Sequence, residues 1–305
     1  MVEKRLQEPK YLKLLIAGNM TFPNYFADAE ASFNQADFII FGVPYDKTSS
    51  FRFGAKTAPK EIRQAGWNFE TYNIRTGNDL RNIKFHDYGD LDVVDDEPKI
   101  MIKKVKELTS KILEKNKFPI AIGGEHSITP GIIYAFPKDI AVVSLDAHLD
   151  FRQQYENEMY NHACAIRRIS DHIDIKNIAI LGVRSAEKEE YDEAKKQGLF
   201  FIDSFTINKT GIKKALDETM RRLKNKKIYL SLDIDVIDPS YAPGTSTPEP
   251  FGLTCFDILE CIECFSQNLI GFDLVEVCPP YDKGETALVA AKFIRFAIEQ
   301  KWCKK

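Results

Sequence analysis

Acids and a histidine are crowded into five residues at the end of one apolar segment. The stretch SLDAHLD follows the run IAVVSL and carries Asp146, His148 and Asp150 at alternate positions. Residues i, i+2 and i+4 of a β-strand point to the same face, so these side chains could converge on one point just beyond the strand. If the chain became helical there, only Asp146 and Asp150 would still align.

Two other segments repeat this arrangement. KIYLSLDIDVIDP places Asp233 and Asp235 two residues apart at the end of an apolar run, and PIAIGG runs directly into Glu125, His126 and Ser127. In open α/β sheets the ligand site lies outside the carboxyl ends of the strands. We therefore expect all three clusters to face the same rim of one sheet.

Carboxylates gathered without cations repel one another and take up protons, so a cation is expected among them. Oxygen-rich ligation with a few imidazoles suits a divalent ion such as Mn²⁺, and the absence of cysteine from these stretches argues against a thiolate zinc site. Two divalent ions would balance four carboxylates, which favours two metals roughly 3.5 Å apart that share bridging carboxylates. The predicted ligands are His126, Asp146, His148, Asp150, Asp233 and Asp235.

The alternative is that each motif is only a polar turn. An isolated Asp-x-His-x-Asp motif is more often a solvated turn than a metal site. Three acidic clusters at the ends of predicted strands favour the metal interpretation, because a purely structural role does not require repeated acids at the tips of buried strands.

The composition describes an ordinary folded chain. Its 305 residues are 44% hydrophobic and carry a net charge of only -3, which argues against disorder and indicates neither nucleic acid nor a membrane surface as a partner. The N-terminal 20 residues contain one short apolar run, at residues 12–17, which predicts neither a signal peptide nor a membrane span. The six cysteines are interpreted as free thiols, and we expect a cytoplasmic protein.

The elements that must position these residues alternate along the chain. Eight short runs rich in Ile, Val, Leu and Phe are predicted strands, and amphipathic stretches between them are predicted helices. This order favours a mostly parallel sheet with helices on both sides, with a barrel as the alternative. No linker or repeat interrupts the chain, so residues 1–305 are predicted to form a single domain, on which residues 1–35 pack as an N-terminal extension. The strand runs are DFIIFGV, IKFHDYG, PIAIGG, IAVVSLD, NIAILGV, the weaker Leu199–Ile202, KIYLSLD and IGFDLVEV.

Six motifs together resemble the ureohydrolases, the family of arginases, agmatinases and their relatives. The resemblance implies a three-layer α/β/α fold, a binuclear Mn²⁺ site, hydrolysis of a guanidino group to urea, and assembly into homo-trimers or hexamers. The likeness extends from about Ala36 to the C-terminus. The motifs are GGEHS, VVSLDAHLD, SLDIDVIDPSYAPGTSTPEPFG, FGVPYDKTSSFRFGAKTAPKEIR, NHACAIRRI and FDLVEVCPPYD.

The resemblance also implies a role for each site residue. Asp146 and Asp233 would bridge the two ions, and Asp150 would also relay a proton. Glu276, at the end of IGFDLVEV, would orient the guanidinium, and His162 would pass a proton to the leaving amine. One Mn²⁺ would be held by His126, Asp146, Asp150 and Asp233, and the other by Asp146, His148, Asp233 and Asp235.

The substrate is indicated by the loop RQQYENEMYNHA, which contains Glu156 and Glu158. These acids suit a small cationic guanidino substrate such as agmatine, whose other end is an ammonium, and would repel a carboxylate-bearing tail. The alternative is that both are solvated surface residues. Conversion of agmatine to putrescine and urea is therefore expected, with arginase activity, guanidinobutyrase activity or a non-catalytic metal-binding or regulatory homologue as alternatives.

Overall fold

The computed structural model describes residues 23–224 and 226–304, and its centre is an eight-stranded sheet in which every neighbouring pair is parallel. The strands are β1 (Phe38–Val43), β2 (Tyr72–Asn73), β3 (Asn78–Asp79), β4 (Phe85–Asp90), β5 (Phe118–Gly123), β6 (Ala141–Leu145), β7 (Ile178–Val183), β8 (Phe200–Asp203), β9 (Ile228–Asp233) and β10 (Leu269–Val275). Their order across the sheet is β4-β1-β5-β10-β9-β6-β7-β8, and β2 pairs with β3 in a separate hairpin.

The crossovers between the parallel strands are mostly helical. Gly211, with φ 88°, separates α6 from α7. Thr254 and Asp257 form a capping box at the start of α8. The helices are α1 (Ala58–Gly66), α2 (Pro98–Glu114), α3 (Thr129–Ile133), α4 (Ala165–Ser170), α5 (Lys188–Gln197), α6 (Ser204–Thr210), α7 (Ile212–Leu223), α8 (Cys255–Phe265) and α9 (Glu285–Trp302).

Helices cover both faces of the sheet. Successive strand residues point to opposite sides, so Phe38 and Ile40 of β1 join one core cluster while Ile39 and Phe41 join the other. The first cluster takes its helical residues from α1, α6, α7, α8 and α9, and the second from α2, α3, α4 and α5. The fold is therefore a three-layer α/β/α sandwich, as expected, and the barrel alternative is wrong.

The four central strands explain where the polar motifs meet. β5, β10, β9 and β6 are adjacent and parallel, so their carboxyl ends form one continuous rim. His126, Glu276, Asp233 and Asp146 each lie at or just after the end of one of these strands. The prediction that the acidic clusters share a rim is confirmed.

The N-terminal segment is described from residue 23 onward. Within the predicted extension 1–35, Phe26 is fully buried and its backbone N–H donates to Asp87 Oδ2 at 2.6 Å. The Trp67 indole donates to the Tyr25 carbonyl at 3.1 Å, which ties this segment to α1. The remainder of the extension lies outside the described residues. None of the helices in the described ranges is long and apolar enough to cross a bilayer.

Candidate metal centre and active-site cavity

One group of ligand atoms surrounds His126, which lies just beyond β5. Its Nδ1 is 2.9 Å from a carboxylate oxygen of Asp150 and 3.2 Å from one of Asp146. An oxygen of Asp233 is 3.3 Å away. His126 Nδ1 and Asp146 Oδ2 are buried, yet neither makes a well-directed hydrogen bond. Four ligand-type atoms thus lie close together, and two of them lack a hydrogen-bond partner. A divalent cation would satisfy such a donor set.

A second group lies beside the first and shares Asp146 with it. His148 Nδ1 is 2.9 Å from Asp235 Oδ2 and 3.7 Å from Asp146 Oδ1. The potential ligand atoms of Asp146, His148 and Asp235 all lie within 4.8 Å of one another, and the same limit holds for His126, Asp146 and Asp150. The structure therefore brings together all six predicted metal ligands, with Asp146 between the two imidazoles.

The backbone reaches this arrangement differently from a simple strand alternation. β6 ends at Leu145, and Asp150 adopts a left-handed conformation with φ 47°. Glu276, just after β10, is also left-handed, with φ 64°. Such angles are uncommon outside glycine and cluster at functional sites. Two hydrogen bonds hold the Asp150 turn: the Phe151 N–H donates to Glu190 at 2.8 Å, and the Arg167 N–H donates to the Asp150 carbonyl at 3.1 Å.

The carboxylates of the two groups repel one another because they are buried side by side. Burial, together with the negative charges of Asp235 and Asp146, raises the pKa of Asp233 well above its usual range. Burial and Asp146 raise the pKa of Asp150 to about 7. The pKa of Asp235 is lowered instead, because contact with His148 outweighs the effect of burial. Added positive charge would relieve this repulsion.

The same carboxylates favour positive charge on the two imidazoles. Burial would lower the pKa of His126, but its contacts with Asp146, Asp150 and Asp233 raise it well above the ordinary value. Burial is likewise outweighed at His148, where Asp235 and Asp146 raise the pKa to about 10. The acids around both imidazoles thus favour positive charge at this place, as a divalent cation would also provide.

Asp273 is a buried acid that the sequence patterns did not indicate, and it supports His126 through Ser231. His126 Nε2 is 3.1 Å from Ser231 Oγ, and that hydroxyl donates to Asp273 Oδ1 at 2.6 Å. Asp273 Oδ2 accepts from Tyr229 and Thr129 at 2.8 and 3.0 Å. With Nε2 hydrogen-bonded on this side, Nδ1 is left to face the carboxylates. The available sequence signal was an acid inside the apolar run IGFDLVEV.

The predicted guanidinium-orienting residue, Glu276, lies beside the first group. It is buried, and its Oε1 accepts a hydrogen bond from the His126 N–H at 2.6 Å. Burial, with a further contribution from Glu125, raises the pKa of Glu276 to about 8. A cationic group beside this carboxylate would favour its ionised form.

The predicted proton-shuttle residue, His162, is carried by a loop on the other side of the cavity. It begins a single helical turn, His162–Cys164, in which the Ala163 N–H donates to the Asn161 side chain. Its ring lies edge-on to Tyr155 and within 3.4 Å of the hydroxyls of Thr48 and Ser50. Burial, aided by the nearby His148, His126 and Arg152, lowers the pKa of His162 to about 4. The imidazole is therefore neutral near pH 7.

A cavity of about 260 Å³ joins these groups. Its floor includes His148, Asp150, Asp233 and Asp235, and its walls include Glu276 and His162. The site is therefore accessible to a small molecule, although most of the metal ligands are almost fully buried.

The outer part of the cavity is lined by acids other than those expected. Among the described residues, neither Glu156 nor Glu158 lines the cavity, whereas Glu187 and Glu190 do. Both contact Arg152, at 3.2 and 3.3 Å, and this arginine lies over the Tyr155 ring. Two acids and one arginine leave this wall with one net negative charge. These acids lie at the start of α5 and in the loop before it. The sequence patterns did not predict that this segment lines the cavity.

The remaining histidines have structural roles. His86 Nδ1 lies 2.8 Å from the carbonyl of Ala31, and His172 Nε2 lies 2.9 Å from the carbonyl of Phe136. Neither belongs to the ligand groups around Asp146. The two ligand groups therefore use only His126 and His148 of the five histidines in the chain.

Comparisons with known proteins agree with this geometry. A sequence model of the arginase family matches residues 36–298. The agmatinase of Bacillus anthracis is 35% identical over 277 residues, covering 88% of this chain and 93% of that protein. The N(1)-aminopropylagmatine ureohydrolase of Thermococcus kodakarensis is 38% identical, covering 87% of this chain and 90% of that protein. The crystal structure of agmatine ureohydrolase of Thermoplasma volcanium gives a TM-score of 0.88 at 39% identity, covering 95% of this chain and 97% of that chain.

Proposed function

The chain belongs to the arginase family, and from that membership we propose that it hydrolyses the guanidino group of agmatine to give putrescine and urea. The observation that carries the proposal is the pair of acid–imidazole groups sharing Asp146 at the floor of a cavity that Glu276 and His162 also line. A metal-binding homologue without activity would have no need for both of these side chains at the same cavity.

We propose Mn²⁺ as the metal, with two ions per chain. His126, Asp146, Asp150 and Asp233 would hold one ion, and Asp146, His148, Asp233 and Asp235 the other. The buried, unsatisfied His126 Nδ1 and Asp146 Oδ2 support this fit, as does the oxygen-rich donor set. When bound, such ions make water acidic enough to react near neutral pH and polarise the group under attack.

Glu276 orients the substrate in this proposal. One of its oxygens accepts from the His126 backbone, and we assign the other to an N–H group of the guanidinium. A carboxylate matches the planar, multi-donor shape of a guanidinium, so the contact both aims the central carbon and balances its charge. The buried surroundings strengthen this attraction.

Two side chains move protons in the reaction. Asp150 accepts one proton as water adds to the guanidino carbon and returns it to the nitrogen that leaves. The neutral His162 takes up a proton from solvent and delivers it to the same nitrogen, and the remaining proton of the added water is released to solvent. The C–O bond forms, the bond between carbon and the alkyl-bearing nitrogen breaks, and the products are urea and a protonated primary amine. Water supplies all the added atoms, so the reaction is balanced.

The tail of the substrate is recognised by the outer wall. The net negative charge of Glu187, Glu190 and Arg152 favours an ammonium, as in agmatine, over the carboxylate of arginine or guanidinobutyrate. Glu190 also holds the backbone beside Asp150, so Glu187 is the more available acid for a substrate. The expected cationic substrate is therefore kept, but its recognition is assigned to Glu187 instead of Glu156 and Glu158.

We also propose that residues 1–305 form one domain, that the protein is cytoplasmic, and that it assembles into homo-trimers or hexamers. The single continuous sheet supports one domain. Light scattering coupled to size-exclusion chromatography would test the assembly, and a monomer would contradict it. No nucleic acid or membrane partner is proposed, in keeping with the nearly balanced charge of the chain.

An assay of urea release tests the proposed function. The purified protein is incubated with Mn²⁺ and, separately, with agmatine, arginine, guanidinobutyrate and N(1)-aminopropylagmatine, the last because of the relative that bears that name. We expect the highest kcat/KM with agmatine and no urea from chelator-treated protein. Urea from arginine alone would refute the substrate assignment, and urea from none of the four would favour a non-catalytic homologue.

A further inference from the structure

A threonine links His162 to a buried carboxylate that the proposed reaction does not use. Thr48 Oγ1 donates to Glu125 Oε1 at 2.5 Å, and the Thr48 N–H donates to Glu125 Oε2 at 2.8 Å. The same hydroxyl oxygen is 3.0 Å from the His162 N–H and 3.4 Å from His162 Nδ1. Thr48 therefore stands between Glu125 and both the backbone and the ring of His162.

The hydrogen-bonding capacity of Thr48 determines which proton the His162 ring carries. A hydroxyl group has one hydrogen to donate and two lone pairs to accept with. The hydrogen is used by Glu125, so Thr48 Oγ1 has only lone pairs for His162. One lone pair accepts a hydrogen bond from the His162 backbone N–H. The other lone pair can accept a hydrogen bond from the ring only if Nδ1 carries a hydrogen.

Glu125 is well suited to hold that hydrogen. Its fully buried carboxylate also accepts from Ser127 Oγ at 2.6 Å and lies 3.4 Å from Ser49 Oγ. With both donors from Thr48, four donor groups surround two acceptor oxygens. The carboxylate form of Glu125 has no hydrogen to donate, so the Thr48 hydroxyl is the donor in the hydrogen bond between them.

We propose that Thr48, with its hydrogen held by Glu125, is a positioning residue that keeps His162 in the Nδ1–H tautomer. The unprotonated Nε2 then faces Ser50 Oγ, 3.3 Å away at the edge of the cavity. The inference rests on the proposed function in that His162 serves the leaving amine. In this tautomer Nε2 is the ring atom that takes up a proton and releases it, because Nδ1 already carries a hydrogen.

The alternative is that Glu125 and Thr48 only anchor the loop that carries Ser50. A structural anchor and a tautomer-setting relay make different predictions for one substitution. Thr48→Val keeps the branched shape and the backbone N–H bond to Glu125 but removes the hydroxyl. The anchor interpretation expects an unchanged ring, whereas the relay interpretation expects Nδ1 to lose its partner.

The decisive experiment measures the tautomer directly. Protein labelled with ¹⁵N only at its five histidines is loaded with diamagnetic Zn²⁺, and its ring nitrogens are observed by NMR at pH 7. Protonated and unprotonated ring nitrogens have well-separated ¹⁵N shifts, and His162→Asn identifies the His162 signals by their loss. We expect wild-type His162 to carry its proton on Nδ1.

Three variants complete the test. Thr48→Val should move the proton to Nε2 or give a mixture of tautomers, whereas Thr48→Ser, which restores the hydroxyl, should keep it on Nδ1. Ser49→Ala is the matched control, because it removes another hydroxyl beside Glu125 that does not contact His162, and it should also keep the Nδ1 tautomer. If Thr48→Val does not fold, Thr48→Ala replaces it. A proton on Nε2 in the wild type, or an unchanged ring in Thr48→Val, would overturn the proposal.

Kinetics separate this inference from the proposed function. In the Mn²⁺-loaded enzyme, Thr48→Val should lower kcat on the order of 10²-fold, with KM and metal content unchanged. If the wild type releases no urea, the proposed function fails, while the NMR result still decides the tautomer. If the wild type is active and Thr48→Val changes its tautomer but not kcat, the tautomer has no part in catalysis and the functional half of the inference is wrong.

Discussion

The cavity has a floor at the strand ends and a wall formed by the loop that carries His162. Each of these two regions holds a histidine through a hydroxyl group and a buried acid, but the ring nitrogen left free of that hydroxyl differs between them. On the floor, Ser231 and Asp273 engage His126 Nε2 and leave Nδ1 toward the carboxylates. On the wall, Thr48 and Glu125 engage Nδ1 of the loop histidine and leave Nε2 toward the cavity.

This difference matches the two kinds of chemistry that we propose for the site. A metal ligand must offer a fixed lone pair, and the floor takes its residues from the ends of packed strands, where position is precise. A group that moves protons must exchange them with substrate, and His162 is placed on a loop beside the hydroxyl of Ser50. Loss of a floor residue should therefore cost metal, whereas loss of a wall residue should cost turnover or selectivity.

The largest effect is expected for Asp233→Ala on the floor. Removing a residue that contacts His126 and is assigned to both ions should weaken metal binding by more than about 100-fold, since substitutions behind the ligands alone cost about 10- to 100-fold. The metal content after dialysis and the rate of urea release should both fall to background. Asp203→Ala is the control: this acid also ends a parallel strand but caps α6, so the variant should stay loaded. An Asp233→Ala protein that remains fully loaded would refute the bridging assignment.

On the wall, His162→Ala should keep its metal and lose turnover. The expected fall in kcat is about 10²- to 10⁴-fold, the usual contribution of a positioned proton-transfer group. Metal content and agmatine KM should stay near the wild-type values. A loss of metal comparable to that of Asp233→Ala would show that the two regions are not functionally separate.

A smaller effect on metal affinity is expected for Asp273→Asn, which acts on the floor from behind His126. The substitution keeps the shape but replaces a carboxylate that accepts from Ser231, Tyr229 and Thr129. Titration calorimetry should show metal affinity reduced about 10- to 100-fold. Wild-type affinity in this variant would mean that the hydrogen bond to Ser231 does not support the metal ligand.

The stability of the folded protein at acid pH depends in part on His162. Its folded pKa of about 4 lies below the ordinary value near 6.5, so between these values the unfolded chain binds a proton that the folded chain does not. This contribution is fully present above pH 6.5 and is lost as the pH falls toward 4. Urea unfolding of chelator-treated protein should show that wild type loses about 1–2 kcal/mol more than His162→Asn between pH 7 and pH 5.

His126, His148 and Arg152 are present in both the wild type and His162→Asn. Their contributions to the change in unfolding free energy therefore cancel when the two proteins are compared. Equal losses for the two proteins would show that His162 is not held neutral by its surroundings. A larger loss for His162→Asn would reverse the sign of the effect and contradict the assigned environment.

The smallest effect is expected at the outer wall, from Glu187→Gln. The Glu187 side chain is 61% exposed, so its attraction for an ammonium is screened, and KM for agmatine should rise only about 2- to 5-fold. The increase should shrink as salt is added. Glu156→Gln is the matched control, and its KM should not change because Glu156 does not line the cavity. The opposite ranking of the two variants would restore the original loop interpretation.

Most of the fold and the composition of the cluster of acids and imidazoles at its rim were predictable from local patterns. All eight expected strand runs form the parallel sheet, because apolar periodicity and length reflect burial that each segment experiences directly. The polar residues that end these runs had to meet at one rim once the sheet was parallel. Asp150 and Glu276 were found from motifs, but their left-handed backbone angles were not apparent, since neither residue is a glycine.

The sequence by itself determined the strands, their direction in the sheet and the set of acids and imidazoles at its carboxyl rim, because these depend on neighbouring residues and on how parallel strands connect. Only the tertiary structure decided which acid meets which histidine, that Glu187 and not Glu156 lines the cavity, and that Thr48 joins Glu125 to His162. These contacts link residues as far as 77 and 114 positions apart. Their energies arise from packing that no local pattern encodes.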